Sequence, residues 1–219
     1  MSAVLENDDG HHTLNAMAVP QSTQRLTEAE YLALERAAVD VKSEFYDGEI
    51  FAMSGGTRWH SCIATNMAIE LGKKLEGHRC RPYNTDLRVK VETSRLYTYP
   101  DLSVVYGEPQ FVDAKMDTLT NPTLIVEVLS DSTEAYDRGR KFEHYRRISS
   151  LREYLLINQD EPRIEQFIQR DGEWLLRDAI GLDATLEMPS IGVSISLSAV
   201  FKDVVFPPKP TPEPDQGRI

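Results

Sequence analysis

Apolar residues recur with a helical period in one stretch of the chain, residues 61–77. They follow one another at intervals of four, at Ile63, Met67, Leu71 and Leu75. This spacing predicts an amphipathic helix. An earlier helix is predicted to begin at Thr27, because Glu30 three residues later completes a capping-box pattern. A third helix is predicted over residues 131–148. Its cap pair would be Asp131 and Glu134.

Alternation of apolar and polar residues with a period of two predicts the strands. The predicted strands are DLRVKV (86–91), YPDLSVVYG (99–107), TLIVEVLS (123–130) and the more uniformly apolar EYLLIN (153–158). Asp47-Gly48 and Asp171-Gly172 each separate two short apolar stretches, which indicates β-hairpins. Because helices and strands are interleaved, we expect an α/β or α+β sandwich. It would have a central mixed β-sheet flanked by helices, with an additional N-terminal helix and β-hairpins.

The composition indicates one domain between two polar ends. A chain of 219 residues suits a single domain. Residues 1–24 lack periodicity and predict a disordered arm, residues 25–206 form the expected domain, and the Pro-rich residues 207–219 predict an extended tail. No apolar run is long enough for a membrane span, and the N-terminus lacks the pattern of a signal peptide. We therefore expect a cytoplasmic protein without membrane association.

A carboxylate interrupts the most apolar run of the chain. In TLIVEVLS the alternation places Glu127 on the same strand face as Ile125 and Leu129. An unpaired buried carboxylate is strongly unfavourable, so Glu127 needs a proton, a basic side chain or a metal ion. Arg88 and Lys141 are the basic residues that could pair with it.

A second carboxylate, Asp101, directly follows Pro100. Proline has no N–H for a β-ladder, so this position indicates a strand start or an edge. If the two strands are neighbours, Asp101 and Glu127 converge. Two carboxylates with water molecules are the usual ligands of Mg²⁺, and such an ion can promote phosphodiester hydrolysis. A structural ion pair and a metal site are therefore both open interpretations of Glu127.

Several motifs in order resemble the PD-(D/E)XK nuclease superfamily. The segments EFYDGEI, YPDLSVVYG, NPTLIVEVLSDST and EYLLIN, with an intervening His and then Asp, Lys and Tyr, are similar to the Uma family of that superfamily. The similarity extends over residues 26–205. It implies a restriction-endonuclease-like fold with a central sheet, and an endonuclease activity that depends on Mg²⁺ or Mn²⁺.

The resemblance also implies roles for individual residues. Asp101, Glu127 and the carbonyl group of Val128 would hold the metal ion. The superfamily lysine would be residue 129, but this position is Leu129. The Uma pattern places the lysine on the following helix, where the match is Lys141. From there a long side chain could orient the attacking water or bind the scissile phosphate.

Glu44 and His60 are implied as supporting residues of the same site. Glu44 could also be a solvated residue at a strand start, and His60 could be a loop residue that caps the helix after it. Glu49 and Asp86 are weaker candidates, because a hairpin and a turn position explain them equally well. Asp137 lies four residues before Lys141, so a simple ion pair between these two competes with a catalytic role of the lysine.

The predicted function is hydrolysis of phosphodiester bonds in DNA by a metal-dependent endonuclease, with a homodimer as one assembly that could cut both strands. The net charge of −11 is unfavourable for a nucleic-acid partner. Basic residues within 79–90 and 138–147 could follow a phosphate backbone despite this charge. The alternative is a non-catalytic module with the nuclease fold that acts as a binding or assembly protein, which the acidic charge and the displaced lysine both favour.

Overall fold

A computed structural model describes residues 25–208. The predicted N-terminal arm and residues 209–219 of the predicted tail lie outside the described residues. The helices are α1 (Glu28–Ala37), α2 (Arg58–Lys74), α3 (Glu134–Tyr136), α4 (Phe142–Tyr145) and α5 (Leu197–Val200). The strands are β1 (Ser43–Tyr46), β2 (Glu49–Ala52), β3 (Cys80–Asn84), β4 (Arg88–Val91), β5 (Leu96–Thr98), β6 (Leu102–Tyr106), β7 (Thr118–Leu119), β8 (Leu124–Val128), β9 (Glu153–Ile157), β10 (Arg163–Arg170), β11 (Glu173–Ile180), β12 (Thr185–Met188) and β13 (Val193–Ser196). In this part of the chain, no helix is long and apolar enough to span a membrane.

The first two helices begin at threonine caps. Thr27 accepts a hydrogen bond from the Glu30 N–H and donates its own N–H to the Glu30 carboxylate, so the predicted capping box is confirmed. Helix α2 begins earlier than predicted. Thr57 is its N-cap, and the Thr57 side chain accepts a hydrogen bond from the His60 N–H at 3.1 Å. His60 therefore lies in the first turn of α2 and not in a loop before it.

The helix that carries Lys141 contains a π-helical turn. Helix α3, a π-helical turn over Asp137–Lys141 and helix α4 follow one another without a break, and residues 134–145 are called the lysine helix below. The predicted cap pair of Asp131 and Glu134 is wrong. Thr133 is the N-cap and makes no side-chain cap bond, while the Glu134 N–H donates to the Ser130 carbonyl at 2.8 Å.

The central sheet has six strands in the order β11-β10-β9-β8-β6-β3 and is mixed, because β8 and β9 are parallel while the other neighbours are antiparallel. The strand predicted as YPDLSVVYG begins later than expected, because residues 99–101 connect a strand of a second sheet to β6 of the central sheet. Strand β5 ends at Thr98 and β6 begins at Leu102. Pro100 lies at this break, where its missing N–H costs no ladder bond.

A second mixed sheet, in the order β2-β1-β5-β4-β7, packs on one face of the central sheet. Residues 123–130, which contain β8, are called the β8 run below. Ile125 and Leu129 of this run lie in the core between the two sheets, whereas Val126 and Val128 face α2 and the β12–β13 hairpin on the other side. The alternation predicted for this strand is therefore confirmed. Helix α1 covers the outer face of the second sheet through an aromatic cluster that includes Tyr31.

Candidate active site

The six predicted site residues line one cleft of about 960 Å³. The cleft lies where the two sheets, α2 and the lysine helix meet. Its predicted members are Glu44 on β1, His60 on α2, Asp101 before β6, Glu127 and Val128 on β8, and Lys141 on the lysine helix. Two weaker candidates lie outside this lining. Glu49 is exposed on the hairpin, and the carboxylate of Asp86 pairs with Lys42.

Asp101 is held by groups from two different elements. Its Oδ2 accepts a hydrogen bond from the Val128 N–H at 2.7 Å and lies 3.2 Å from the Nε2 of His60. The register of β6 and β8 pairs Leu102 with Val126. Continued by two residues, this register brings Pro100 opposite Val128. Proline has no N–H to give the Val128 carbonyl, so that carbonyl group makes no ladder bond to residue 100. A backbone hydrogen bond with Val128 contributes to the raised pKa of His60, so this carbonyl group faces the cleft.

Glu127 lies almost wholly buried beside Lys141. The Lys141 Nζ is 2.9 Å from the Glu127 Oε1, and the two residues are 6 % and 4 % exposed, respectively. Of the two partners considered for Glu127 from the sequence, the structure selects Lys141. The other, Arg88, pairs instead with Asp117 at 2.7 Å.

Two further carboxylates surround the same ammonium group. The Lys141 Nζ lies 3.3 Å from the Oε1 of Glu44 and 3.4 Å from the Oδ1 of Asp137. The competing ion pair between Asp137 and Lys141 is therefore present, but as one of three. One lysine thus faces carboxylates from β1, from β8 and from its own helix.

Hydroxyl groups hold two of these carboxylates independently of the lysine. Tyr145 donates to the Glu127 Oε1 at 2.9 Å. Thr98, the last residue of β5, donates to the Oε1 of Glu44 and lies 3.3 Å from the Tyr145 hydroxyl oxygen. A continuous set of polar contacts therefore joins the second sheet, the lysine helix and the central sheet.

The protonation of the cleft reflects burial and crowding of negative charge. Burial raises the pKa of Glu127 to about 8, and the charges of Asp137 and Asp101 act in the same direction against the attraction of Lys141. Burial also raises the pKa of Asp137. Burial acts to lower the pKa of Lys141, but the surrounding carboxylates outweigh it and hold that pKa well above its usual range. The lysine is therefore charged at neutral pH.

His60 is kept in place from both sides. Its hydrogen bond with Asp101 raises the pKa of the imidazole above its ordinary value. On the backbone side, the Thr57 hydroxyl accepts a hydrogen bond from the His60 N–H and donates one to the side-chain oxygen of Gln159. The amide group of Gln159 in turn donates to the Leu129 carbonyl. This chain of bonds fixes the first turn of α2 against the end of the β8 run.

The sequence reasoning missed three contributors to this site: Asp137 as a cleft residue, Tyr145 as the partner of Glu127, and Thr98 as the partner of Glu44. A signal existed for the first two. Asp137, Lys141 and Tyr145 follow one another at intervals of four, so one polar row lies on an otherwise amphipathic segment. No comparable signal exists for Thr98, because its role depends on how β5 pairs with β1.

The donor atoms of the cleft fit a Mg²⁺ or Mn²⁺ ion. Within residues 25–208, no hydrogen bond engages the Oδ1 of Asp101 or the Oε2 of Glu127. In the same range, no three His, Cys, Asp or Glu side chains converge as a ready-made metal site. Mg²⁺ does not require one, because it binds one or two carboxylates and completes its shell with water and substrate phosphate.

A family profile and several similar proteins match most of this chain. The profile of the family Uma2, described as "Putative restriction endonuclease", matches residues 28–199. Two proteins of Synechocystis sp. are similar over most of their length. "Uncharacterized protein sll1609" is 38 % identical over 78 % of this chain and 97 % of its own, and "Uncharacterized protein slr1290" is 37 % identical over 83 % of this chain and 94 % of its own.

A crystal structure from Anabaena variabilis, described as a putative nuclease belonging to DUF820, superimposes with a TM-score of 0.67. It is 19 % identical and covers 80 % of this chain and 97 % of its own. This likeness confirms the expected α/β, restriction-endonuclease-like fold.

Proposed function

Because the chain belongs to the Uma2 family of putative restriction endonucleases, we propose that it is a metal-dependent endonuclease that hydrolyses phosphodiester bonds of DNA. The observation that supports this most directly is the convergence of Asp101, Glu127 and Lys141 in one cleft. The sites of hydrolysis would be the phosphates of a strand that enters this cleft. The ion would be Mg²⁺ or Mn²⁺.

Three groups would hold the ion: the carboxylates of Asp101 and Glu127 and the carbonyl of Val128. When bound, it would supply an activated water and positive charge near the phosphate oxygens. His60 and the Val128 N–H orient Asp101 from opposite sides. Tyr145 holds Glu127. These contacts set the carboxylates in position before substrate arrives, which lowers the cost of organising the site.

Lys141 would be the electrophilic residue of the reaction. A side chain with a charged end can stabilise the extra negative charge that a phosphodiester acquires during attack by water. The backbone of Lys141 is part of the lysine helix, so its ammonium group could turn from the carboxylates toward a phosphate in the cleft. Glu44 would hold the ammonium from the opposite side and limit its reach.

The test is a calorimetric titration of Mn²⁺ into three proteins. Wild type should bind, and the Asp101→Asn plus Glu127→Gln double variant should lose binding by at least about 100-fold. The Glu49→Gln plus Asp86→Asn variant removes the same charge outside the cleft and should bind like wild type. A loss of binding in that control as well would mean that net charge alone attracts the ion.

Cleavage is measured on the same proteins with supercoiled plasmid and single-stranded DNA in Mg²⁺ or Mn²⁺. Lys141→Met should reduce the rate by at least about 100-fold. Absence of cleavage by wild type on either DNA, together with absence of Mn²⁺ binding, would contradict the proposal.

A binding or assembly module with the same fold is the second candidate. The contact of 2.9 Å between Lys141 and Glu127 favours it, because this pair can neutralise the buried carboxylate without a metal. Under this candidate, Mn²⁺ would not bind the wild-type protein.

A further inference from the structure

The ammonium group of Lys141 lies at the centre of three carboxylates. Oxygens of Glu127, Glu44 and Asp137 lie 2.9, 3.3 and 3.4 Å from its Nζ. The lysine side chain is 8 % exposed. The ammonium group is therefore surrounded by negative charge from three elements and is almost shielded from solvent. In this arrangement the charge of Lys141 is directed at carboxylates.

When all three carboxylates are ionised, they carry more negative charge than one lysine can neutralise, and this crowding contributes to the raised pKa of Glu127. Asp137 is 2 % exposed, lines the cleft, and its Oδ1 has no hydrogen-bond partner in the described residues. A buried carboxylate oxygen without a donor is unfavourable unless a cation is close. Here the nearby cation is the ammonium, at an ion-pair distance and shared with two other carboxylates.

Two of the carboxylates would keep their positions without the lysine. Glu127 is held by the Tyr145 hydroxyl, and Glu44 is held by the Thr98 hydroxyl. Asp137 is part of the π-helical turn, which fixes its backbone. The oxygens around the Nζ therefore form a preorganised centre for the ammonium group.

We propose that the Lys141 ammonium, which is held in a centre formed by Glu44, Glu127 and Asp137, competes with the divalent metal ion for the carboxylate of Glu127. The inference rests on the proposed function, because Glu127 belongs both to this centre and to the proposed metal site. Binding of the ion displaces the ammonium from Glu127. The displaced ammonium group can then turn toward a phosphate in the cleft.

Calorimetric titration with Mn²⁺ alone tests this competition. Removal of the competing charge in Lys141→Met should tighten Mn²⁺ binding by about ten-fold or more relative to wild type. Lys90→Met is the matched control, since Lys90 also lies between two carboxylates, Glu28 and Glu92, each at 2.9 Å, but outside the cleft. It should bind Mn²⁺ like wild type. Equal or weaker binding by Lys141→Met would overturn the proposal.

A second variant separates the centre from the lysine. Adding Asp137→Asn to Lys141→Met removes a negative charge next to Glu127 and should reverse part of the gain in Mn²⁺ affinity. An unchanged gain would contradict the assignment of Asp137 to the centre. If Lys141→Met does not fold, Lys141→Gln replaces it, because glutamine keeps a hydrogen-bond donor beside Glu127 without the charge.

The wild-type protein offers a measurement that needs no lysine variant. With lysine labelled with ¹³C at the ε-carbon, a Mg²⁺ titration followed by NMR should shift the signal of one buried lysine. This signal should persist in Lys90→Met. If all lysine signals keep their chemical shifts while calorimetry shows that Mg²⁺ saturates the protein, the ion does not displace the ammonium and the proposal is wrong.

The outcomes also separate this inference from the proposed function. Tight binding by wild type with no gain in Lys141→Met contradicts only the competition. Absence of Mn²⁺ binding in wild type and in every lysine variant contradicts both. A gain in Mn²⁺ affinity together with a loss of DNA cleavage in Lys141→Met supports both.

Discussion

At the scale of single residues, the burial of Glu127 connects stability with function. Burial and neighbouring carboxylates raise its pKa to about 8 from an ordinary value of 4.5. The folded protein therefore binds a proton here more tightly than the unfolded chain. This contribution to stability is fully present below about pH 4.5 and is lost as the pH rises to about 8.

Glu127→Gln should therefore stabilise the metal-free protein at high pH. At pH 5 the amide and the protonated acid are both neutral and similar in shape, so the melting temperatures should nearly coincide. At pH 8.5 the variant avoids a buried negative charge. An increase of about 1–2 kcal/mol in the free energy of unfolding corresponds to a rise of about 2–8 °C in melting temperature for a domain of this size. The measurement is thermal unfolding in EDTA between pH 5 and pH 8.5.

The exposed Glu49→Gln is the control and should follow wild type at each pH. Asp137 and His60, whose pKa values are also raised, remain in all these proteins, so the variant's pH dependence should be shallower but not absent. A lower melting temperature of Glu127→Gln at pH 8.5 would mean that the attraction of Lys141 exceeds the cost of burial, as the second candidate function requires.

A separate prediction concerns Asp101 and the neighbouring imidazole of His60. Its hydrogen bond is the main reason that the pKa of His60 is raised. Asp101→Asn should lower the pKa of His60, because the amide carries no charge. The measurement is an NMR titration of the histidine ring protons, with His60→Gln to assign the signal. Asp86→Asn is the control, and an equal shift there would show that the contact with Asp101 is not the cause.

At the scale of elements, helix α2 acts as a support for His60. Its N-cap, Thr57, accepts a hydrogen bond from the His60 N–H and is linked through Gln159 to the end of the β8 run. The orientation of His60 toward the central sheet therefore depends on how the helix begins. The lysine helix has an equivalent role, since its π-helical turn carries both Asp137 and Lys141 into the cleft. Such turns are frequent at functional sites.

Thr57→Ala and Thr27→Ala form a matched pair that separates capping from positioning. Each removes the side-chain acceptor of a helix N-cap, so each should lower the free energy of unfolding by about 1 kcal/mol. Denaturant unfolding measures this cost. Thr57→Ala alone should also change the NMR titration of His60, because Thr27 is not part of the cleft lining. If both variants leave His60 unchanged, the cap stabilises α2 without positioning the imidazole.

At the scale of the whole molecule, negative charge dominates. The net charge is −11, and several basic side chains are already engaged. Arg138 pairs with Glu134 and Glu165, and Arg147 pairs with Glu143. These partners reduce the basic surface that residues 138–147 could offer to a phosphate backbone. Without a divalent ion, the carboxylates of the cleft should repel DNA.

We therefore expect removal of cleft carboxylates to strengthen DNA binding in EDTA. At pH 8.5, the Asp101→Asn plus Glu127→Gln variant should bind labelled duplex DNA about 3–10-fold more tightly than wild type, and the gain should shrink as salt screens the charges. Fluorescence anisotropy measures the affinity. The variant with Glu49→Gln and Asp86→Asn has the same net charge, so a similar gain there would assign the effect to overall charge and not to the cleft.

Much of the local structure was determined by the sequence itself. The capping box at Thr27, the hairpins at Asp47-Gly48 and Asp171-Gly172 and the two faces of β8 all depend on short-range spacing, and the structure has them where the pattern predicts. Asp101 and Glu127 stood out for a similar reason. A proline before a strand and a carboxylate inside an apolar run are unfavourable unless the surroundings compensate.

Only the tertiary structure decided which groups provide this compensation. It selected Lys141 over Arg88 as the partner of Glu127 and added Asp137, Tyr145 and Thr98 to the cleft. It also divided the expected single sheet into two, with short strands such as β5 and β7 that span too few residues to show a period. The physical reason is that strand order and helix packing join residues far apart in the chain, and these contacts depend on the whole fold and not on local spacing.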